Sequence, residues 1–151
     1  MRIWVDADGL SREINDVLLR VSERRQLALV RVANRALPPH QSPLISAVRV
    51  DDRFDAADRY IVEHVETGDL VITADVPLAA SVVARGAWAL SARGEAFDAD
   101  NVGDKLATRD LLSELRSAGS VSGGPPPPTP NDRKRFIDAL DRLLTKLARA
   151  T

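Results

Sequence analysis

The stretch "DLVITADVPLAASVVARG", residues 69–86, decides the fold. Leu70-Val71-Ile72 is an unbroken apolar run, as expected of a strand covered on both faces. It stops at Thr73-Ala74-Asp75, and Val76, Leu78, Ala79, Val82 and Val83 then recur with helical spacing up to Gly86, the place of a C-terminal glycine cap. A strand running straight into a helix is half of a βαβ unit. The carboxylate at the junction is either a helix cap or a member of a site. A single aspartate there is ordinarily a cap.

The same alternation extends on both sides. "RIWVDAD" opens with Ile3, Trp4 and Val5 as a short buried strand, followed by "GLSREINDVLLRVSERRQ". There Ile14, Val17, Leu18 and Val21 form an amphipathic stripe behind a Ser11 N-cap, with Glu13 at the positive helix end. "LALVRVAN" and the end of "LISAVRV" read as strands on either side of the loop "PPHQSP". "FDAADRYIVEHV" reads as a helix with Ala57, Ile61 and Val65 on one face, and "AWALS" as a further strand. Strands alternating with helices predict an α/β fold of three layers, a mainly parallel central sheet flanked by helices. After about residue 90 the chain turns helical. "NVGDKLATRDLLSELRSAG" presents Leu106, Leu111, Leu112 and Leu115. "SGGPPPPTP" (122–130) predicts an extended spacer, and 131–150 a C-terminal helix carrying Phe136, Leu140, Leu143, Leu144 and Leu147. That helix is expected to dock on the body or to pair with a second copy as a homodimer.

At 151 residues the chain suits one domain with a substantial core. It has no cysteine, hence no disulfide, thiolate metal site or thiol chemistry. No apolar run reaches the ~20 residues of a membrane helix and no signal-peptide pattern opens the chain, so the expected location is the cytoplasm. The net charge of −1 makes the protein no general magnet for nucleic acid, although a local basic face remains compatible with it.

In parallel α/β sheets, ligands bind beyond the carboxyl ends of the strands. Asp6 and Asp8 follow the first strand and Asp75 follows "LVIT". If those strands are neighbours, their acids converge. Asp58 in the preceding helix is a further candidate, and Asp98 and Asp100 before the next helix are weaker ones; Asp100, beside Asn101, reads chiefly as an N-cap. Clustered carboxylates repel one another and either bind protons or gather a cation. Oxygen-only donors favour Mg²⁺ or Mn²⁺, whose bound water can attack a phosphodiester. Arg93 and Arg109 are candidates for phosphate contacts, with surface salt bridges as the plainer alternative. His40 and His64 lack ligand-spaced partners, and Ser11 lacks the context of a nucleophile. Arg20, Arg24 and Arg25 read as a solvated helix face, Trp4 and Trp88 as core.

The segments "IWVDAD", "FDAADRYIVEHVETGDLVITADVPLAASVVARGA", "RGEAFDADNVGDKLATRDLLSELRSAG" and "GGPPPP" together resemble the bacterial YaiI/YqxD family of uncharacterised proteins, over nearly the whole chain. That family looks like a distant branch of the PIN-like fold, which includes metal-dependent ribonucleases and flap nucleases. The resemblance implies that Asp6 with Asp8, Asp58 and Asp75 hold the metal, and that Thr73 of the "T-x-D-x-x-L-A" junction orients the acids. It implies a nuclease acting on RNA, or else a degenerate PIN-like module that binds nucleic acid or a protein partner without turnover. Two departures bear on this. Gly9-Leu10-Ser11 stands where relatives commonly carry Ala-Cys-Pro. Arg59 stands where an acidic or amide residue is frequent, making the site less acidic or supplying a phosphate contact.

Overall fold

The computed structural model describes residues 1–53, 55–119 and 129–149. Most of the expected spacer lies outside the described residues. A six-stranded sheet forms the centre: β1 (Arg2–Asp6), β2 (Ala28–Ala33), β3 (Ile45–Arg49), β4 (Leu70–Ile72), β5 (Trp88–Leu90) and β6 (Ala96–Phe97). Their order is β3-β2-β1-β4-β5-β6. Every neighbouring pair is parallel except β5–β6, which is antiparallel. At two residues, β6 is too short to leave a readable pattern in the sequence.

Helices α1 (Arg12–Arg25) and α5 (Pro130–Arg149) cover one face of the sheet, while α2 (Ala56–His64) and α3 (Val76–Ala84) cover the other. Successive strand residues serve opposite layers. Ile3, Val5, Leu29, Leu70 and Ile72 pack toward α1 and α5, whereas Trp4, Val30, Val32 and Val71 pack toward α2 and α3. Covering both faces is why the strands read as continuous apolar runs instead of alternating ones. No helix among the described residues is long and apolar enough to cross a membrane.

The ends of α1 and α3 match their sequence signals. Ser11 caps α1 by accepting the Ile14 N–H at 3.3 Å, and Gly86 ends α3 with φ +87°. The sequence reading passed over the start of α5. Thr129 Oγ1 accepts the Asp132 N–H at 3.2 Å while Asp132 Oδ2 accepts the Thr129 N–H at 2.9 Å, a reciprocal cap with Pro130 between them.

The apolar stripe of α5 is buried on its own chain. Phe136, Leu140 and Leu144 are at most 2% exposed, each contributing about 1.5–3 kcal/mol of burial. Arg25, expected on a solvated face, instead ties α1 to α5 through Asp141 and Thr145. Gly94, in the β5–β6 turn, has φ +85°, and a Cβ there would lie 2.8 Å from the Arg135 carbonyl oxygen of α5. Only glycine fits that approach.

Helix α4 (Val102–Ser117) forms as its periodicity predicts and packs on α3, but it buries none of its residues. Leu111 and Leu112, expected as part of an apolar stripe, remain 56% and 38% exposed. Trp4 is core as expected, and its indole N–H donates to Asp69 at 3.0 Å. Trp88 is only half-buried, with the Lys146 ammonium 5.1 Å from its ring centre.

Candidate active site

The order of strands reverses direction at β1 and β4, since β2 leaves to one side of β1 and β5 to the other side of β4. At such a switch point the connections diverge and leave a crevice beyond the strand ends. Asp6 closes β1 and Thr73 follows β4, side by side, because Val5 is in register with Ile72.

Thr73 is completely buried and joins the two elements. Its hydroxyl donates to Asp6 Oδ2 at 2.9 Å and accepts the Asp75 N–H at 3.0 Å. Asp75 Oδ1 in turn accepts the Leu78 N–H at 3.0 Å and caps α3. The two readings of Asp75 are therefore compatible, because a cap uses one carboxylate oxygen and leaves the other.

Asp58, in the first turn of α2, completes the group. Burial, followed by the negative charges of Asp75 and Asp6, a hydrogen bond with Asp75 and the charge of Asp55, pushes its carboxyl up to about 7 from the ordinary 3.8. The Asp6 carboxyl is also raised. Burial is the main cause, the Thr73 hydrogen bond pulls the other way, and the charges of Asp75 and Asp8 add to the rise. Asp6, Asp58 and Asp75 thus act on one another electrostatically, and the repulsion favours the protonated form of Asp58.

The remaining candidates divide. Asp8 adds its charge to Asp6, yet both its oxygens are engaged elsewhere: Oδ2 accepts the Asn34 N–H at 2.6 Å and Oδ1 accepts Arg35 Nε at 3.1 Å. Its place is in fastening β1 to the end of β2. Arg59 and Arg109 line a cleft of about 480 Å³ together with Asp58 and Asp75. Arg59 is paired with Asp55 at 3.4 Å and Arg109 with Asp110 at 3.0 Å. Arg93 does not line this cleft; its guanidinium lies 3.8 Å from Asp132 at the start of α5. Asp100 is exposed and does not serve as the cap of α4. Asp98 organises that turn, its Oδ1 accepting the N–H groups of Asp100 and Asn101, both at 2.9 Å. His64 stacks on Tyr60, and His40 faces Glu23, so neither joins the carboxylates.

Among the described residues, no three acidic or histidine side chains are already arranged as a metal-ligating group. The donor chemistry nonetheless suits a hard divalent cation, since every available donor is a carboxylate or hydroxyl oxygen. A larger cavity of about 590 Å³ among Met1, Leu27, Trp88 and Leu144 lies at the opposite, amino-terminal end of the strands, away from the coupled acids.

Sequence reasoning missed Asp69, a buried carboxylate that accepts N–H groups from Arg2, Trp4 and Glu66, each at 3.0 Å. It holds the amino-terminal ends of β1 and β4 together. Only its position at the foot of an apolar run could have signalled it.

Comparison with known proteins agrees with the YaiI/YqxD family part of the resemblance read from the sequence. A family model described as "Uncharacterized BCR, YaiI/YqxD family" matches residues 4–146. A UPF0178 protein of Geobacter sulfurreducens is 51% identical over 150 residues, covering 99% of both chains. Another, from Solidesulfovibrio magneticus, is 55% identical over 144 residues, 95% of this chain and 96% of that one. A third, from Saccharophagus degradans, is 49% identical over 146 residues, 97% of each. No solved structure matches the chain. With both the family model and full-length relatives in agreement, the chain belongs to the YaiI/YqxD family.

Proposed function

We propose that the protein is a PIN-like nuclease that hydrolyses phosphodiesters, with RNA as substrate and Mg²⁺ or Mn²⁺ as cofactor. The observation that carries this reading is the meeting of Asp6, Asp58 and Asp75 from three separate segments at the switch point, coupled strongly enough to bring Asp58 to about 7. Asp6, Asp58 and Asp75 would hold the ion, which when bound supplies an activated water and steadies charge on the phosphoryl oxygens. Thr73 fixes the Asp6 carboxylate and the Asp75 backbone through its single hydroxyl. Asp8 holds Arg35 at the adjoining strand end. Arg59 and Arg109, on the cleft walls, are placed to meet phosphates of a bound strand.

The test is cleavage of labelled single-stranded RNA in Mn²⁺, in Mg²⁺ and in EDTA, by wild type and Asp75→Asn. Asparagine keeps the cap of α3 while removing a charge that repels Asp6 and Asp58, so the variant should fold, melt no lower than wild type in EDTA, and cleave only at background. Equal cleavage by both proteins would refute the assignment.

A second reading, a PIN-like module that binds nucleic acid or a protein partner without turnover, is favoured by Arg59 standing against the acids in the cleft. RNA binding of equal strength in Mg²⁺ and in EDTA, without cleavage, selects it.

A further inference from the structure

The centre of β2 carries a charge where its neighbours are apolar. Arg31 lies between Val30 and Val32 and is 8% exposed. Its Nη2 donates to the Pro38 carbonyl oxygen at 3.0 Å, the one hydrogen bond of its side chain among the described residues. The Nε atom is buried without any partner. Among the described residues no carboxylate pairs with the group. A buried guanidinium with an orphaned donor is unfavourable unless an anion meets it, and a leucine or valine would fill the strand at no such cost.

The surroundings suggest what that anion is. Arg31 lines a cavity of about 460 Å³ between α1 and the β2–β3 connection, on the other side of the sheet from the α2–α3 cleft. Arg12, from the first turn of α1, and Arg35 line it too, with Asp16 as the one carboxylate in its wall. Arg35 is partly neutralised by Asp8 at 3.1 Å, and His40 turns its Nε2 toward Glu23 at 3.4 Å. Three guanidiniums against Asp16 and the Asp8 carboxylate on Arg35 leave the wall cationic by about one charge, with Arg31 the member that has no acidic partner among the described residues. The arginine fork matches the spacing of phosphoryl oxygens.

We propose that this cavity is a phosphate-binding site in which Arg31, with Arg12 and Arg35, receives a dianionic phosphoryl group. The group belongs to a small phosphorylated compound or to the end of a nucleic-acid strand. The site does not depend on the carboxylate cluster or on the nuclease reading.

Calorimetric titration in EDTA separates the two questions, because it silences any metal-dependent activity. Wild type should bind inorganic phosphate saturably in 150 mM NaCl, roughly the physiological ionic strength at which exposed arginines are screened. Arg31→Met should weaken binding at least about tenfold, the loss expected when a charge-assisted hydrogen bond is removed. Arg12→Gln, at an exposed position, should weaken it several-fold with an unchanged melting temperature, and it decides the matter if Arg31→Met does not fold. A 5′-phosphorylated dinucleotide binding more tightly than free phosphate, and than its 5′-hydroxyl counterpart, identifies a strand end. No such gain identifies a small compound. The proposal is overturned by absence of saturable binding to wild type, by unchanged affinity in both variants, or by acetate binding as tightly as phosphate.

Discussion

Replacing Asp58 by asparagine tests whether the three carboxylates share one electrostatic field. A carboxyl at about 7 in the folded protein and near 3.8 when unfolded holds its proton more tightly in the native state. Its contribution to stability is therefore fully present below about pH 4 and is lost as pH rises through 7. At about 1.4 kcal/mol per tenfold change, the difference between 3.8 and about 7 corresponds to about 4 kcal/mol. Asp58 is only half-buried, and water screening reduces this to about 1–2 kcal/mol.

Asparagine has the same shape, stays neutral and still donates to Asp75. Metal-free Asp58→Asn should match wild type below about pH 4 and exceed it by about 1–2 kcal/mol at pH 8, or about 2–8 °C in melting temperature. Urea denaturation in EDTA from about pH 3.5 to 8 reads the difference, since titrations remote from the three carboxylates cancel between the two proteins. Asp6, raised in the same direction, leaves both proteins with a residual slope of the same sign. Adding Mn²⁺ at pH 8 should reverse the order, because wild type retains the full donor set and gains binding free energy that the variant loses in part. Parallel pH profiles for the two proteins in EDTA would refute the coupling and, with it, the basis for a cation at this place.

Thr73→Val should cost about 1–3 kcal/mol in urea denaturation, because the valine leaves the half-buried Asp6 carboxylate and the Asp75 N–H without their shared partner. Thr73→Ser should restore most of that loss. Gly94→Ala should destabilise by about 2 kcal/mol or more in thermal melts, since the new Cβ meets the Arg135 carbonyl and the backbone sits at φ +85°. A silent Gly94→Ala would mean that the β5–β6 turn does not press on α5.

The helices with a narrow apolar stripe were legible in the sequence because they pack one side only. Ile14, Val17, Leu18 and Val21 of α1 and the phenylalanine and leucines of α5 sit in the core where their spacing puts them. The leucines of α4 show the limit of the same signal, for periodicity reports a stripe and not whether anything covers it. Among the candidate site residues, Asp58, Asp75 and Asp6 come together, whereas Asp8 and Arg93 are drawn to partners that sequence distance hides, Asn34 with Arg35 and Asp132, and Asp100 belongs to the local Asp98 turn. Arg31 in "ALVRVA" passed unread, because only the structure shows that its Nε is buried without a partner among the described residues.

By itself, then, the sequence determined the alternation of strand and helix, the caps at Ser11 and Gly86, and the presence of acids just past two strands. These are local matters, set by side-chain periodicity and backbone hydrogen bonding within a few residues. Only the tertiary structure decided that β1 and β4 are neighbours, that Thr73 bridges Asp6 to Asp75, and that Asp58 leans on both. Strand order is fixed by which faces the helices must cover, a condition satisfied by the whole chain at once, so no short stretch of it carries the answer.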